Sequence, residues 1–273
     1  LAATGVGTLA LVDFDKVDLS NLQRQVLYGS ADIGRSKALR GQARLQELNP
    51  DISIVAHDCE VTAGNVMDLI RPYHLVVDGT DRLSTRYQVN DACVLQRKML
   101  VSAAIHRFEG QTFSYVPDCG PCYRCIFPSA GEGVTPNCAE AGVLGVLPGI
   151  LGTVQATEAI KLLLNRGDVL AGRLLTYDSL KMKFRELKLR KSPDCPICGP
   201  NRTINELIDY HEFCGVPQHQ PVVEPEAGVT ENEIEVTALK ARFDRGEKVN
   251  LVDVREPHEF QICRIPGSTL IPL

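Results

Sequence analysis

The stretch VDFDKVDLSNLQRQ, residues 12–25, decides the fold. An apolar run, Leu9, Ala10, Leu11 and Val12, ends abruptly in an acid, Asp13. A strand that ends in this way presents a carboxylate at the edge of an α/β sheet, where it can hold the hydroxyls of a ribose. Arg24 stands eleven residues further on, and Lys37 adds a second cation. A nicotinamide dinucleotide needs an acid for its sugar but not two cations nearby. A triphosphate needs both.

The surrounding pattern agrees with such a sheet. Residues 9–14 read as a buried strand. Ser36 is placed to cap a helix through Lys37, Leu39, Ala43, Leu45 and Leu48, which Asn49-Pro50 stops. Residues 52–56 alternate as a strand, and 66–70 form a short helix. Residues 74–78 (HLVVD) form a third strand that runs into Gly79-Thr80-Asp81. A helix follows at 84–96 and a strand at 99–103. This alternation predicts a doubly wound, Rossmann-like, mostly parallel sheet. Beyond it, 110–116 reads as an antiparallel extension, 144–164 as a long apolar helix, and 174–178 with 184–189 as a hairpin. A short helix is expected at 205–213. After it, 236–243 reads as a helix and 249–254 as a strand.

Composition separates the C-terminal part. Of the 273 residues, 44% are hydrophobic and the net charge is −5, so no basic field for nucleic acid exists. Residues 201–273 hold seven Lys/Arg against thirteen Asp/Glu, whereas residues 1–200 are nearly balanced. GVPQHQPVVEPEAG, rich in proline, reads as a linker. The expected division is residues 1–214 as one domain, 215–229 as the linker and 230–273 as the start of a second α/β domain. No apolar stretch approaches the roughly 20 residues of a membrane span. The chain opens on LAATG without Met and closes on STLIPL, and reads as a segment cut inside folded domains. Absent targeting patterns and the thiol usage point to the cytosol.

No GxGxxG or GxxxxGK[ST] loop is present. A phosphate loop would stand about 20 residues before the acid, ahead of residue 1. What remains for a nucleotide is Asp13, Asn21, Arg24, Lys37 and Asp81. Asp13 suits ribose hydroxyls. Arg24 and Lys37 suit phosphate charge, including charge that develops on attack. Asp81, beyond a strand end, suits Mg²⁺, which takes one or two carboxylates plus phosphate oxygens. The same spacing also allows plain surface charges at Arg24 and Lys37 and a helix cap at Asp81.

Ten cysteines in a long chain without a signal peptide favour metal over disulfides. Cys122-Tyr-Arg-Cys125 and Cys195-Pro-Ile-Cys198 form two CxxC turns, and two such turns close a structural zinc tetrahedron. Cys119-Gly-Pro-Cys122 is an alternative first pair, and redox pairs or unliganded thiols are the other reading. Cys138 precedes the long helix. A cysteine near a helix N-terminus can be a nucleophile, though a buried inert thiol fits as well. Cys59, Cys93 and Cys263 lie in patterned segments and read as core.

The segments DFDKVDLSNLQRQ, GRSKA, VDGTD, RFEGQ, CYRCIFP, NCAEAGVLG and CPIC resemble, in order and spacing over about residues 1–200, the MoeB/ThiF-type adenylating enzymes, relatives of the ubiquitin-activating enzymes. DYHEFCG, the acidic linker, NLVDVREPHEF and IPGSTLIPL resemble the opening of a rhodanese-like domain. That domain order is similar to the adenylyltransferase–sulfurtransferases of eukaryotic molybdopterin synthesis, which also serve tRNA thiolation.

The resemblance implies that ATP is the ligand. Asp13 would hold the ribose. Ser20, Asn21, Leu22, Gln23, Arg24, Lys37, Asp81 and Arg82 would line the nucleotide site, with Asp81 on Mg²⁺. The co-substrate would be a ubiquitin-like sulfur carrier ending in Gly-Gly, whose carboxylate attacks the α-phosphate and expels pyrophosphate. A rhodanese persulfide, charged by a donor of the cysteine desulfurase type, would then deliver sulfur and release AMP, leaving a thiocarboxylate. Cys138 would capture the activated carrier or complete sulfur release. Cys122, Cys125, Cys195 and Cys198 would hold zinc, which excludes Cys119. The family is typically homodimeric. The persulfide cysteine of the rhodanese loop is expected beyond Leu273, and Cys263 is not it; Asp253 and Arg255 read as structural. Two other readings stand beside this one. In one the tail docks without catalysing, which the sequence of that loop separates. The whole chain would otherwise be a non-catalytic scaffold for a ubiquitin-like protein, against which Arg24, Lys37, Asp81 and Cys138 all speak. An NAD-binding oxidoreductase is the alternative at the level of fold.

Overall fold

A computed structural model describes residues 1–129, 142–214 and 234–272. Cys138 and the expected linker, residues 215–229, lie outside the described residues. The chain divides into two compact units, Leu1–Gln218 and His219–Leu273.

The first unit opens with β1 (Thr8–Val12), α1 (Lys37–Leu48) and β2 (Ser53–His57), and β1 pairs parallel with β2 from Thr8↔Ser53 to Val12↔His57. Ser36 caps α1 by accepting from the Leu39 amide, as expected of serine at that position. Ala2, Ile52 and Ile54 form a small core against Leu9, Leu11 and Leu45. β1 is not the buried strand that its sequence suggests. Val12 is 37% exposed and Phe14 43% exposed, because among the described residues β1 pairs on one edge alone.

Next come α2 (Val66–Ile70), β3 (Leu75–Asp78), α3 (Leu83–Leu95), β4 (Met99–His106), β5 (Glu109–Tyr115), α4 (Tyr123–Ile126), α5 (Leu147–Leu164), β6 (Arg173–Asp178) and β7 (Lys183–Lys188). They build a five-stranded sheet in the order β3-β4-β5-β6-β7. β3 and β4 pair parallel; every later ladder is antiparallel. The expected antiparallel extension is therefore the larger part of this sheet. Side chains alternate across it. One face carries Leu100, Phe113, Tyr115 and Leu174 into the main core, with Tyr87 and Cys93 from α3. The other carries Ala103 and Tyr177 against Leu147 and Leu151 of α5. Gly110 permits that approach, since a Cβ there would stand 2.7 Å from Leu151 Cδ2.

The short helix expected at 205–213 is confined to α6 (Tyr210–Phe213). The preceding chain is tied elsewhere: Thr203 and Ile204 amides both donate to Pro196 O, at 2.8 and 2.9 Å. Ile204, Leu207 and Ile208 then lie on the main core as irregular chain.

The second unit holds α7 (Val236–Asp244), β8 (Val252–Asp253), α8 (Pro257–Ile262) and β9 (Thr269–Leu270), with β8 parallel to β9. Asp253 anchors Arg255 by Nε at 2.9 Å and Nη2 at 2.7 Å, and Nη2 also reaches Cys263 O at 2.9 Å. This pair ties the β8 end to the α8 end. None of this unit's described residues is buried. Cys263, expected in a core, is accordingly exposed. No described helix is long and apolar enough to cross a membrane.

Candidate functional site

The carboxyl ends of β1 and β3 open on a cavity of about 860 Å³. Its wall includes Asp13, Ser20, Asn21, Arg24, Lys37, Asp81 and Arg82. Four separate stretches of chain thus bring the predicted residues together. Leu22 and Gln23 do not line it. The reason is local. Asp18 caps a one-turn helix, Leu19–Asn21, by accepting from the Ser20 amide at 2.7 Å. The turn that follows carries Gln23 away, against Gly145, where a Cβ would lie 2.4 Å from Gln23 Oε1.

Lys37 starts α1, and its side chain is only 7% exposed. Its amide donates to Asp15 O at 2.9 Å, and its ammonium to Asp15 Oδ2 at 2.9 Å. Arg24 donates to Ser20 O at 3.2 Å and is paired with no acid among the described residues. Asp81 is exposed and likewise pairs with no cation among the described residues. A carboxylate and a guanidinium on one cavity wall, neither in an ion pair among the described residues, fit a metal-bound polyphosphate. Arg82 bridges the cavity rim: its guanidinium meets Glu60 at 2.8 Å and lies 4.8 Å over the Phe14 ring.

Asp13 accepts from the Asp15 amide at 2.9 Å. Burial pushes its pKa up; the Asp15 amide and Lys37 offset this in part, while Asp15 and Asp58 add repulsion. Burial, then the charges of Asp13 and Asp32, lift the Tyr28 phenol to about 12, so it stays a neutral donor, to Lys37 O at 3.1 Å. The site therefore sets a partly desolvated acid, Asp13, and a buried cation, Lys37, on one wall with the exposed carboxylates of Asp15 and Asp81.

Several cavity residues escaped sequence reasoning. Asp15 was visible as the second acid of DFD. Gln25 lines the wall with its Oε1 buried and unpartnered among the described residues. Arg86 and Gln155 arrive from α3 and α5, with no local signal. Cys59, expected in a core, is half-buried and on the cavity wall, because it stands past the end of β2. Cys93 is fully buried, as expected.

A second centre lies on the main core. Cys122, Cys125, Cys195 and Cys198 bring their sulfurs within 4.8 Å of one another. The Cys122–Cys195 separation is 3.6 Å and Cys125–Cys198 is 3.3 Å. Tetrahedral ligation at about 2.3 Å per Zn–S bond places sulfurs at similar spacing, so the four thiols fit such an ion. Cys125 Sγ also accepts from the Ser192 amide at 3.4 Å. Gly199 closes the second turn, its amide on Cys195 O at 3.0 Å; a Cβ there would sit 2.5 Å from that oxygen. Cys119 is exposed and outside the cluster.

Residues 1–197 match the ThiF family, and the chain belongs to it. It is 49% identical over 222 residues to the sulfur carrier protein adenylyltransferase of Thermus thermophilus, covering 79% of this chain and 82% of that one. It is 46% identical over 276 residues to the adenylyltransferase and sulfurtransferase MOCS3 of Mus musculus, covering all of this chain and 60% of that one. Probable adenylyltransferase/sulfurtransferase MoeZ of Mycobacterium tuberculosis is 44% identical over 279 residues, covering all of this chain and 68% of that one. The chain thus spans about 60% of the length of its MOCS3 relative. In fold it is similar to E. coli MccB with ATP, at a TM-score of 0.62 and 21% identity, over 72% of this chain and 60% of that one.

Proposed function

We propose that this chain activates the C-terminal glycine carboxylate of a ubiquitin-like sulfur carrier with ATP, and serves the conversion of that carboxylate to a thiocarboxylate. The carrying observation is the convergence of Asp13, Arg24, Lys37 and Asp81 on one cavity. The sulfur-carrier and sulfurtransferase names of its relatives support the substrate class and the second step.

In this reading Asp13 holds the ribose, while Ser20, Asn21, Arg24 and Lys37 line the phosphate path with Arg82 at the rim. Mg²⁺, held by Asp81, would neutralise phosphate charge. The carrier carboxylate attacks the α-phosphorus, the bond to the β-phosphate oxygen breaks, and pyrophosphate leaves. The reaction is a displacement at phosphorus, so the chain contributes position and charge. Lys37 is preset for this: Asp15 holds its ammonium in place before any ligand arrives. Zn²⁺ in the four-cysteine cluster would be structural, since four thiolates leave no open position.

Cys138 is assigned to the sulfur step, after adenylation, with sulfur supplied as a persulfide charged by a cysteine desulfurase-type donor. The enzyme works as a cytosolic homodimer and binds neither nucleic acid nor membrane. Supporting the dimer, Leu19, Val26 and Val146 are 69%, 94% and 64% exposed, and the Gln23–Gly145 approach places these two segments side by side. The carrier in this reading is of the molybdopterin-synthase small-subunit type or the tRNA-thiolation modifier type.

The test is ATP–pyrophosphate exchange by this chain within its full-length protein, with and without a Gly-Gly-terminated ubiquitin-like partner. Exchange that depends on the partner is expected, and Cys138→Ala is expected to retain it while losing thiocarboxylate formation. No exchange from folded protein overturns the reading in favour of a binding scaffold. Loss of exchange in Cys138→Ala overturns the role of that cysteine.

A further inference from the structure

Asp78 is a buried carboxylate that the chemistry above does not use. It ends β3, and its side chain is 1% exposed. Its Oδ1 accepts from the Thr80 amide at 2.9 Å and from the Thr80 hydroxyl at 2.7 Å. Its Oδ2 accepts from the Ser102 hydroxyl of β4 at 3.0 Å and faces Arg86 Nη1 at 3.8 Å. Its main-chain oxygen accepts from Gln155 Nε2 of α5 at 2.8 Å, and the same Nε2 reaches Val101 O at 3.2 Å. One residue thereby links β3, β4, α3 and α5, and its neighbours Val77, Gly79, Thr80, Arg86 and Gln155 line the cavity.

Arg86 completes the frame from α3. It donates to Ala103 O at 2.6 Å through Nη1, and to Thr80 O through Nη2. Thr80 is thus held at its amide, its hydroxyl and its carbonyl. The residue it leads into is Asp81, whose carboxylate is exposed on the cavity wall. The β3–β4 ladder already joins Leu75–Asp78 to Met99–Ser102 by main-chain pairing. A buried charge is an expensive way to add to that, and an apolar pair often does as well. Two of the three hydrogen bonds that the Asp78 carboxylate accepts come from Thr80 in the Gly79-Thr80-Asp81 turn, and the third comes from Ser102 of β4.

We propose that Asp78, acting through Thr80 and Arg86, is the positioning residue that presents the Asp81 carboxylate to the metal-bound triphosphate. This deepens the adenylation reading and rests on it. Asp78 itself touches no substrate. Its role is that of an outer partner that orients a metal-binding carboxylate.

Two variants in the full-length protein test it. Asp78→Asn keeps the size and removes the charge facing Arg86. Thr80→Val keeps the amide and removes the hydroxyl bond, without stranding a buried charge. ATP–pyrophosphate exchange is measured against Mg²⁺ concentration, together with hydrogen exchange at the Thr80 and Asp81 amides. The Mg²⁺ needed for half-maximal rate should rise about 10-fold or more in Asp78→Asn and by a smaller factor in Thr80→Val, in the range seen when outer partners of metal ligands are removed. Hydrogen exchange at Thr80 and Asp81 should quicken in both, while amides of the β5–β6 ladder keep their rates. A merely structural role would lower melting temperature and rate without moving the Mg²⁺ requirement. Partner-dependent exchange in the parent, with an unchanged Mg²⁺ requirement in both variants, overturns this role alone. A parent with no exchange overturns the nucleotide reading and this role together.

Discussion

Arg124, between the two cysteines of CYRC, grips Asp91 of α3 through Nε at 2.9 Å and Nη2 at 2.8 Å. The two side chains are 1% and 0% exposed. Burial acts to lower the Arg124 pKa, but the bonds and charge of Asp91 outweigh it and raise it. Tyr210 of α6 donates to the same carboxylate at 2.9 Å, and Tyr87 and Phe213 flank the guanidinium at 5.0 and 4.4 Å. One ion pair thus joins α3, the first cysteine turn and α6.

Removing one partner of such a pair leaves the other charge buried and alone. Asp91→Ala is expected to destabilise the first unit by about 3–5 kcal/mol. The double variant Asp91→Leu with Arg124→Met should recover much of that loss. Thermal unfolding of the parent, single and double variants checks this. A double variant as unstable as the sum of its single changes would mean that the pair holds no mutual charge compensation.

The four-cysteine cluster makes a separable prediction. Cys195→Ser should release the proposed ion and lower stability together, because that ion would tie α4 to the turn after β7. Cys119→Ser, three residues before Cys122, should change neither, since Cys119 is exposed and outside the cluster. Metal content per chain, followed by a chelator titration of the melting temperature, is the measurement. Equal metal content in parent and Cys195→Ser refutes the site.

The nucleotide wall offers a test in which stability and activity part. Lys37→Ala removes a charge whose partner, Asp15, is 49% exposed. Asp15 can turn to water, so the stability change should be no more than about 1 kcal/mol. Asp81→Ala removes a carboxylate with no protein cation among the described residues, and should also leave the melting temperature near the parent value. Both should lower ATP–pyrophosphate exchange by about 100-fold or more, the scale of removing one preorganised charge from a reacting phosphate. Near-parental exchange from either variant removes that residue from the mechanism.

These cases also show what was legible in the sequence. Most elements of the first unit, the Ser36 cap and the two CxxC turns follow from local pattern, because spacing and capping act within one turn or strand; the choice of Cys125 over Cys119 came from the family resemblance. Leu22 and Gln23 stand among the cavity residues of SNLQR without lining the cavity, and Gln23 approaches Gly145. The burial of β1 was misjudged because a run of four apolar residues does not say how many strands flank it. Asp78 was legible as the end of the HLVVD strand but its partners were not, and Arg86 and Gln155 carried no local signal. The Asp78–Gln155 contact spans 77 positions, and only the packed sheet and helix bring them together.

Asp13 combines a cost to the fold with a proposed task. Burial holds its pKa above the ordinary carboxylate range, and the Asp15 amide and Lys37 offset that only in part. The folded chain therefore binds this proton more tightly than the unfolded chain. Linkage then sets the sign: as pH rises from the ordinary aspartate value of 3.8 through the raised folded value, Asp13 loses its proton and the fold loses stability. Asp13→Asn abolishes this loss. At neutral pH it should melt slightly above the parent. The same substitution should impair exchange mainly through a raised KM for ATP, since a neutral amide is a poorer acceptor for the ribose hydroxyls. A group kept at a cost to stability for binding is a common feature of active sites. A parent and an Asp13→Asn variant with parallel stability curves from pH 3 to 7 would show that Asp13 carries no such cost, and an unchanged KM would remove it from the ribose.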